Sequence, residues 1–155
     1  MSDERDTAGV IAPPPLIYAG ALAAGIAASR LRPLPFLPRS LKRPLGWPLI
    51  AGGLLFGMWG LRSLRRAGTN VDPYRPTIAF VTDGPYRFTR NPLYLGLTSV
   101  YAGVSALANS LWAMLLLPGV LAVMRRGVIE REERYLENKF GEEYRLYKAR
   151  VRRWI

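Results

Sequence analysis

At 155 residues with a formal net charge of +11, the chain has the length of one domain and carries neither cysteine nor histidine. This excludes disulfides, thiolate nucleophiles, cysteine-held zinc or iron–sulfur centres, imidazole bases, Ser-His-Asp triads and histidine-ligated haem. Half the residues are hydrophobic and 21% are charged, and the basic residues flank the apolar runs, a pattern that points to a membrane surface and away from nucleic acid.

Residues 10–29 carry no charge, and their length suits one spanning helix. Asp3, Glu4, Arg5 and Asp6 precede them where a cleaved signal peptide needs a basic segment, so a retained helix is expected. Pro13-Pro14-Pro15 sets its start, because proline is tolerated in a first turn. A proline-rich loop over 30–43 then leads to a second span at 44–61, where Gly53 and Gly57 form a G-x-x-x-G pair suited to close helix packing within the chain.

Residues 62–92 are polar and show no helical period. Within them, 77–81 reads as a short extended segment ending at the turn signal Asp83-Gly84-Pro85. Residues 93–124 are again uncharged, too long for one span and too short for two full ones. Two helices, 93–107 and 111–124, joined by a tight turn at Asn109-Ser110, are expected, with Pro118 kinking the second. After Arg125 the tail is charged and helical, with Ile129, Leu136, Phe140, Tyr144 and Tyr147 forming an apolar stripe.

The expected fold is therefore all-α: a single integral membrane helical bundle with about four transmembrane helices and a cytoplasmic amphipathic C-terminal helix. Seventeen basic residues fall on the side of the termini and the 62–92 loop, and five on the other, which places both termini and that loop in the cytoplasm.

Two segments concentrate polar chemistry. The first is Gly84-Pro85-Tyr86-Arg87-Phe88-Thr89-Arg90-Asn91-Pro92-Leu93-Tyr94-Leu95-Gly96, in which Asn91 and Pro92 open a helix whose free N–H groups favour an anion. The second runs from Glu132-Glu133 through Phe140-Gly141 and Tyr144 to Arg150-Val151-Arg152-Arg153-Trp154. A closed helix pair brings them together around a pocket with acidic, aromatic and apolar walls, suited to an organic cation beside a membrane-borne partner.

These paired blocks resemble those of the isoprenylcysteine carboxyl methyltransferases and their phospholipid methyltransferase relatives. The family pattern is G-[PV]-Y-x-x-x-R-H-P-x-Y-x-G, then E-E-x-x-L-x-x-x-F-G-x-x-Y-x-x-Y and a terminal R-V-P, and the resemblance covers about residues 78–155. It implies S-adenosylmethionine as donor and a lipidic or prenylated acceptor, with no metal. It also implies cofactor contacts from Phe80, Val81, Tyr86, Arg90, Asn91, Pro92, Leu93 and Tyr94, and from Glu132, which is the candidate catalytic residue. Val128 stands where the family has a substrate-side arginine, which leaves Arg125, Arg126 and Arg150 as substrate-binding candidates. Asn91 replaces the family histidine, and Arg152 replaces the proline of R-V-P.

Methyl transfer from a sulfonium is an in-line displacement that rests on proximity and orientation. An anionic carboxylate acceptor needs no base, whereas an amine or thiol requires Glu132, Glu133 or water to take a proton. Carboxyl methylation and phospholipid N-methylation both remain open. The competing readings are a sterol-reductase-like enzyme using the arginine-rich 62–90 loop for a nicotinamide phosphate, and a non-enzymatic lipid-binding protein. No glycine-rich Rossmann fingerprint is present.

Overall fold

In the computed structural model, which describes residues 7–155, every regular element is helical. The charged residues Asp3, Glu4, Arg5 and Asp6, which enter the expectations about the first span and its orientation, lie outside the described residues. Helix α1 (Pro14–Leu31) has Pro13 at its N-cap, so the proline run does mark its start, though several residues inside the apolar stretch. The preceding residues pack elsewhere: Ile11 N–H donates to the Gly127 carbonyl at 3.2 Å.

Helix α2 (Arg39–Arg66) is longer than the expected 44–61 at both ends and runs through Pro44 and Pro48. Proline inside a helix removes a hydrogen bond and crowds the preceding turn. Close packing against α3 (Pro92–Ala108) compensates. Gly46, Gly53 and Gly60 recur every seven residues on α2 and are buried; on α3, Gly96 and Gly103 keep the same interval. A Cβ on Gly53 would sit 2.6 Å from the Gly96 carbonyl, and one on Gly96 would sit 2.6 Å from the Gly53 carbonyl. The backbones therefore touch directly, the antiparallel form of small-residue helix packing.

The turn expected within 93–124 is present. Asn109 adopts the left-handed conformation (φ 52°), and Ser110 caps α4 (Leu111–Met124) by accepting from Ala113 N–H at 3.1 Å. The Asn109 side chain also takes the N–H groups of Phe36 and Leu37 (3.1 and 2.9 Å), fastening this turn to the loop after α1. Helix α4 continues through Pro118. Among the described residues, α1 packs on α4 and α3, and α2 packs on α3.

After α4 a single π turn (Arg125–Ile129) leads into α5 (Glu130–Arg150). The tail is not one straight stripe. It bends at Gly141 (φ 56°, ψ −127°), a backbone conformation that glycine adopts without penalty. Across the bend, Glu137 accepts from Arg145 Nε at 3.1 Å and from Lys148 Nζ at 3.0 Å. The second half of α5 is thereby folded back towards the loop before α3. Residues 77–81 form no strand; their backbone is held by side chains, with Ile78 N–H donating to Thr69 Oγ1 (3.2 Å) and Thr77 N–H to Tyr135 Oη (3.1 Å).

Helix α2 and the continuous run Leu111–Arg150 are long and apolar enough to cross a membrane, and α3 is a shorter apolar helix. Leu45, Trp47, Leu54, Leu55, Met58 and Trp59 of α2 are exposed, an apolar surface of the kind that lipid covers.

Candidate active site

The site is built where three backbone segments converge: the 84–92 loop, the start of α5, and residues 151–153. Gly84 (φ 57°) opens a 3₁₀ turn, Gly84–Arg87, beneath which Pro85 and Tyr86 are buried. A Cβ on Gly84 would come within 2.6 Å of Ser63 Oγ, so the loop lies against the end of α2.

The residues after α5 fasten this loop. The Arg90 N–H donates to the Arg152 carbonyl at 3.0 Å, and the Arg153 carbonyl accepts from both Thr89 Oγ1 (3.0 Å) and Asn91 Nδ2 (2.9 Å). Tyr147 Oη donates to the Tyr86 carbonyl at 2.8 Å. Asn91 occupies the N-cap position of α3 as expected, but its Oδ1 makes no cap hydrogen bond; its Nδ2 instead donates to the Arg153 carbonyl. The first N–H groups of α3 thus have no side-chain cap.

Beneath this clasp lies a buried charge cluster. Arg153 forks onto Glu133 through Nε–Oε1 (2.9 Å) and Nη2–Oε2 (2.7 Å). Arg90 Nη1 approaches the same carboxylate at 3.0 Å. Arg90 Nε and Nη1 are nevertheless buried without a well-formed hydrogen bond among the described residues. Such groups are costly to leave unpaired.

Glu132, the adjacent residue, points another way. It lines a cavity of about 710 Å³ and its Oε1 accepts a 2.6 Å hydrogen bond from Tyr94 Oη. Burial raises the Glu132 carboxyl to about 7; the Tyr94 hydrogen bond opposes that rise and the neighbouring Glu133 charge adds to it. The upper wall is aromatic: the Phe80 ring lies 5.0, 5.6 and 5.9 Å from those of Phe140, Tyr144 and Tyr147. Burial pushes the Tyr86 and Tyr147 phenols up and the Tyr144 phenol up to about 12, so all three are neutral hydrogen-bonding groups at physiological pH. Lower down, the cavity is lined by Leu54, Gly57, Leu97 and Val100 of α2 and α3.

Phe80, Val81, Tyr86, Arg90, Asn91, Pro92, Leu93, Tyr94 and Glu132 all line this cavity. Arg125, Arg126 and Arg150 do not: Arg125 pairs with Glu130 at 2.9 Å, Arg126 is exposed, and Arg150 Nε reaches the Leu146 carbonyl at 3.3 Å. Sequence reasoning missed the clasp, since Arg153 reads as one of several basic residues near a lipid headgroup. The spacing of Arg153 from Glu133 signals nothing until the bend at Gly141 is known. Among the described residues, no cluster of three or more acidic side chains is arranged to hold a metal ion.

A family model described as phospholipid methyltransferase matches residues 41–143, from the start of α2 to past the bend in α5. Over 35 residues the chain is 57% identical to an uncharacterized protein of Haemophilus influenzae, a match covering 23% of this chain and 56% of that relative. The chain thus spans about half the length of that curated relative. No solved structure matches the chain.

Proposed function

The chain belongs to the phospholipid methyltransferase family, and we propose that it is a membrane enzyme that methylates the amine headgroup of a phospholipid, with S-adenosylmethionine as donor. The observation that carries this reading is one cavity with a carboxylate and aromatic rings at its head and aliphatic side chains between apolar helices below.

The residues suit the donor. Arg90 Nη1 is paired with Glu133, but its Nε is buried without an acceptor among the described residues, and a carboxylate would satisfy it. Phe80, Tyr144 and Tyr147 offer faces for a purine, and Glu132 offers a negative charge beside a cation. When bound, S-adenosylmethionine supplies an electrophilic methyl group on a cationic sulfur.

The chain's own work is positioning and one proton. Glu132, held by Tyr94 and poised near neutrality, accepts the proton that an ammonium headgroup must lose before its nitrogen can attack. That assignment favours an amine over a carboxylate acceptor, which would be repelled by Glu132. The arginine-rich loop offers the reductase alternative only Arg90 in the cavity lining, because Arg62, Arg65, Arg66, Arg75 and Arg87 lie outside it.

The bundle supports four spans with the site at one end. Residues 32–38 meet the Asn109-Ser110 turn at one end, and residues 8–11, the 84–92 loop and α5 gather at the other. The basic count favours the cytoplasm for the second end.

The test is transfer of radiolabelled methyl from S-adenosylmethionine by purified protein in vesicles containing phosphatidylethanolamine. Label is expected in the phospholipid and not in a farnesylated cysteine analogue. Label in the cysteine analogue alone reverses the acceptor assignment, and no S-adenosylhomocysteine binding by folded protein at millimolar ligand refutes the methyl-transfer reading.

A further inference from the structure

The glycines of α2 are not equivalent. At Gly53 an added Cβ would strike the α3 backbone, so packing requires the missing side chain there. At Gly57, one turn on, an added Cβ would meet nothing within 4 Å, yet Gly57 lines the cavity. Glycine is unfavourable inside a helix, and here packing gives no reason for it.

Its neighbours show what the space is for. Leu54, Gly57, Met58 and Leu61 stand at positions i, i+3, i+4 and i+7, so they share one face of α2, and all four line the cavity. Leu54 and Met58 are 51% and 55% exposed, forming the outer lip of the passage, while Leu97 and Val100 of α3 form its inner wall. Helix α2 packs on α3, and α1 packs on α3 and α4, whereas α1 and α2 make little contact with each other, so the passage opens between α1 and α2. The lip is an exposed apolar edge on a helix long and apolar enough to cross a membrane. From Gly53 to Leu61 the passage runs about 12 Å along the helix, at roughly 1.5 Å per residue, and it is continuous with the cavity around Glu132.

We propose that Gly57 is the specificity-determining residue of this passage, its missing side chain forming the recess in which one acyl chain of a membrane phospholipid lies between Leu54 and Leu61. The headgroup end of this assignment rests on the methyl-transfer reading; the chain end rests on the passage alone. A larger residue at 57 fills the recess without disturbing the α2–α3 contact, because its Cβ points away from it.

Gly52 supplies the control. It also has open space around a built Cβ, but it faces outward and does not line the cavity. Purified, delipidated wild type, Gly57→Leu and Gly52→Leu are loaded with palmitoyl-oleoyl-phosphatidylethanolamine, and retained lipid is read by native mass spectrometry. Wild type and Gly52→Leu are expected to retain the lipid. Gly57→Leu loses retention roughly tenfold or more, the discrimination that an apolar pocket shows for an added methylene or larger group. Dihexanoyl-phosphatidylethanolamine, with chains too short to fill the passage, discriminates among the three far less. Equal retention by Gly57→Leu, equal loss in Gly52→Leu, or no retention by wild type overturns the proposal. S-adenosylhomocysteine binding is measured in parallel: its absence from all three samples counts against the methyl-transfer reading, while lipid retention still decides the role of Gly57.

Discussion

Glu133 and Arg153 stand 20 positions apart and close a two-bond fork, Nε–Oε1 at 2.9 Å and Nη2–Oε2 at 2.7 Å, that draws the end of α5 onto its beginning. The fork positions the Arg153 main chain, whose carbonyl takes the hydrogen bonds of Thr89 and Asn91. One ion pair therefore fixes the loop that forms the roof of the cavity. In this role Asn91 needs only an N–H donor.

Removing Glu133 leaves Arg90 without its carboxylate and Arg153 with only the 3.6 Å approach of Glu130. Glu133→Gln is expected to lower stability by about 2–3 kcal/mol, the scale of charged hydrogen bonds, with some relief because Arg153 is partly exposed. Thermal unfolding in detergent gives the loss, and hydrogen exchange should show faster opening of residues 84–95. Unchanged exchange in that loop would separate the fork from the roof and refute the clasp.

Glu132 predicts a pH dependence of a different kind. Its carboxyl is raised to about 7 in the folded chain, above its ordinary 4.5. The folded state therefore binds the proton more tightly than the unfolded chain does, and this stabilising contribution is full below pH 4.5 and is lost as pH rises through about 7. The ligand-free protein should accordingly be less stable at pH 8 than at pH 5.5 through this group, and Glu132→Gln should flatten that difference. Donor binding runs the opposite way, because only the ionised carboxylate attracts a sulfonium. Affinity for S-adenosylmethionine should rise through pH 7 in the wild type, and Glu132→Gln should weaken it by about 1–3 kcal/mol at pH 8. A pH profile that Glu132→Gln leaves intact would move the titrating group elsewhere.

Tyr94→Phe isolates the hydrogen bond from the ring. The 2.6 Å contact holds the Glu132 carboxyl down against the upward push of burial. Its loss should shift the midpoint of the binding profile to higher pH and weaken S-adenosylmethionine at pH 7. Binding at pH 9, where Glu132 is ionised in either protein, should recover most of the loss. A loss that persists at pH 9 would mean that Tyr94 contacts the ligand itself.

The helices were legible in the sequence where apolarity was continuous and punctuation was strong. Pro13, the Asn109-Ser110 turn and the uncharged runs each carried a local physical signal, and α1, α3 and α4 follow them. The start of α2 was not legible, because Pro44 and Pro48 argue locally against a helix that a non-local glycine contact sustains. The two motif blocks supply Tyr86, the run Arg90 to Tyr94, and Glu132 to the cavity lining, but its walls from α2 and residues 69–74 lie outside them. The clasp was not legible, since it depends on a bend at Gly141 and a π turn that change which residues face one another. Arg125 and Arg126, candidates only because they neighbour Val128 in the chain, sit in that π turn and do not line the cavity.

The α2–α3 contact can be tested with one methyl group. Gly53→Ala places a Cβ 2.6 Å from the Gly96 carbonyl and 2.9 Å from Ser99 Cβ, distances that oblige two helix backbones to separate. Neither obstacle is a flexible side-chain end, so the strain cannot be relieved by a rotamer change. Overpacking of this sort costs about 1–3 kcal/mol. Gly52→Ala, one residue earlier, meets nothing within 4 Å and removes a helix-interior glycine, so it should be neutral or stabilising by up to about 1 kcal/mol. Thermal unfolding of the two variants in the same detergent is expected to order them Gly52→Ala, wild type, Gly53→Ala, from most to least stable. Because the cavity lies on the same helix pair, Gly53→Ala should also weaken S-adenosylhomocysteine binding, by spreading α2 from the Pro92 end of α3. If both alanines leave stability unchanged, α2 and α3 do not meet along Gly53 and Gly96, and the cavity they enclose would have to be redrawn.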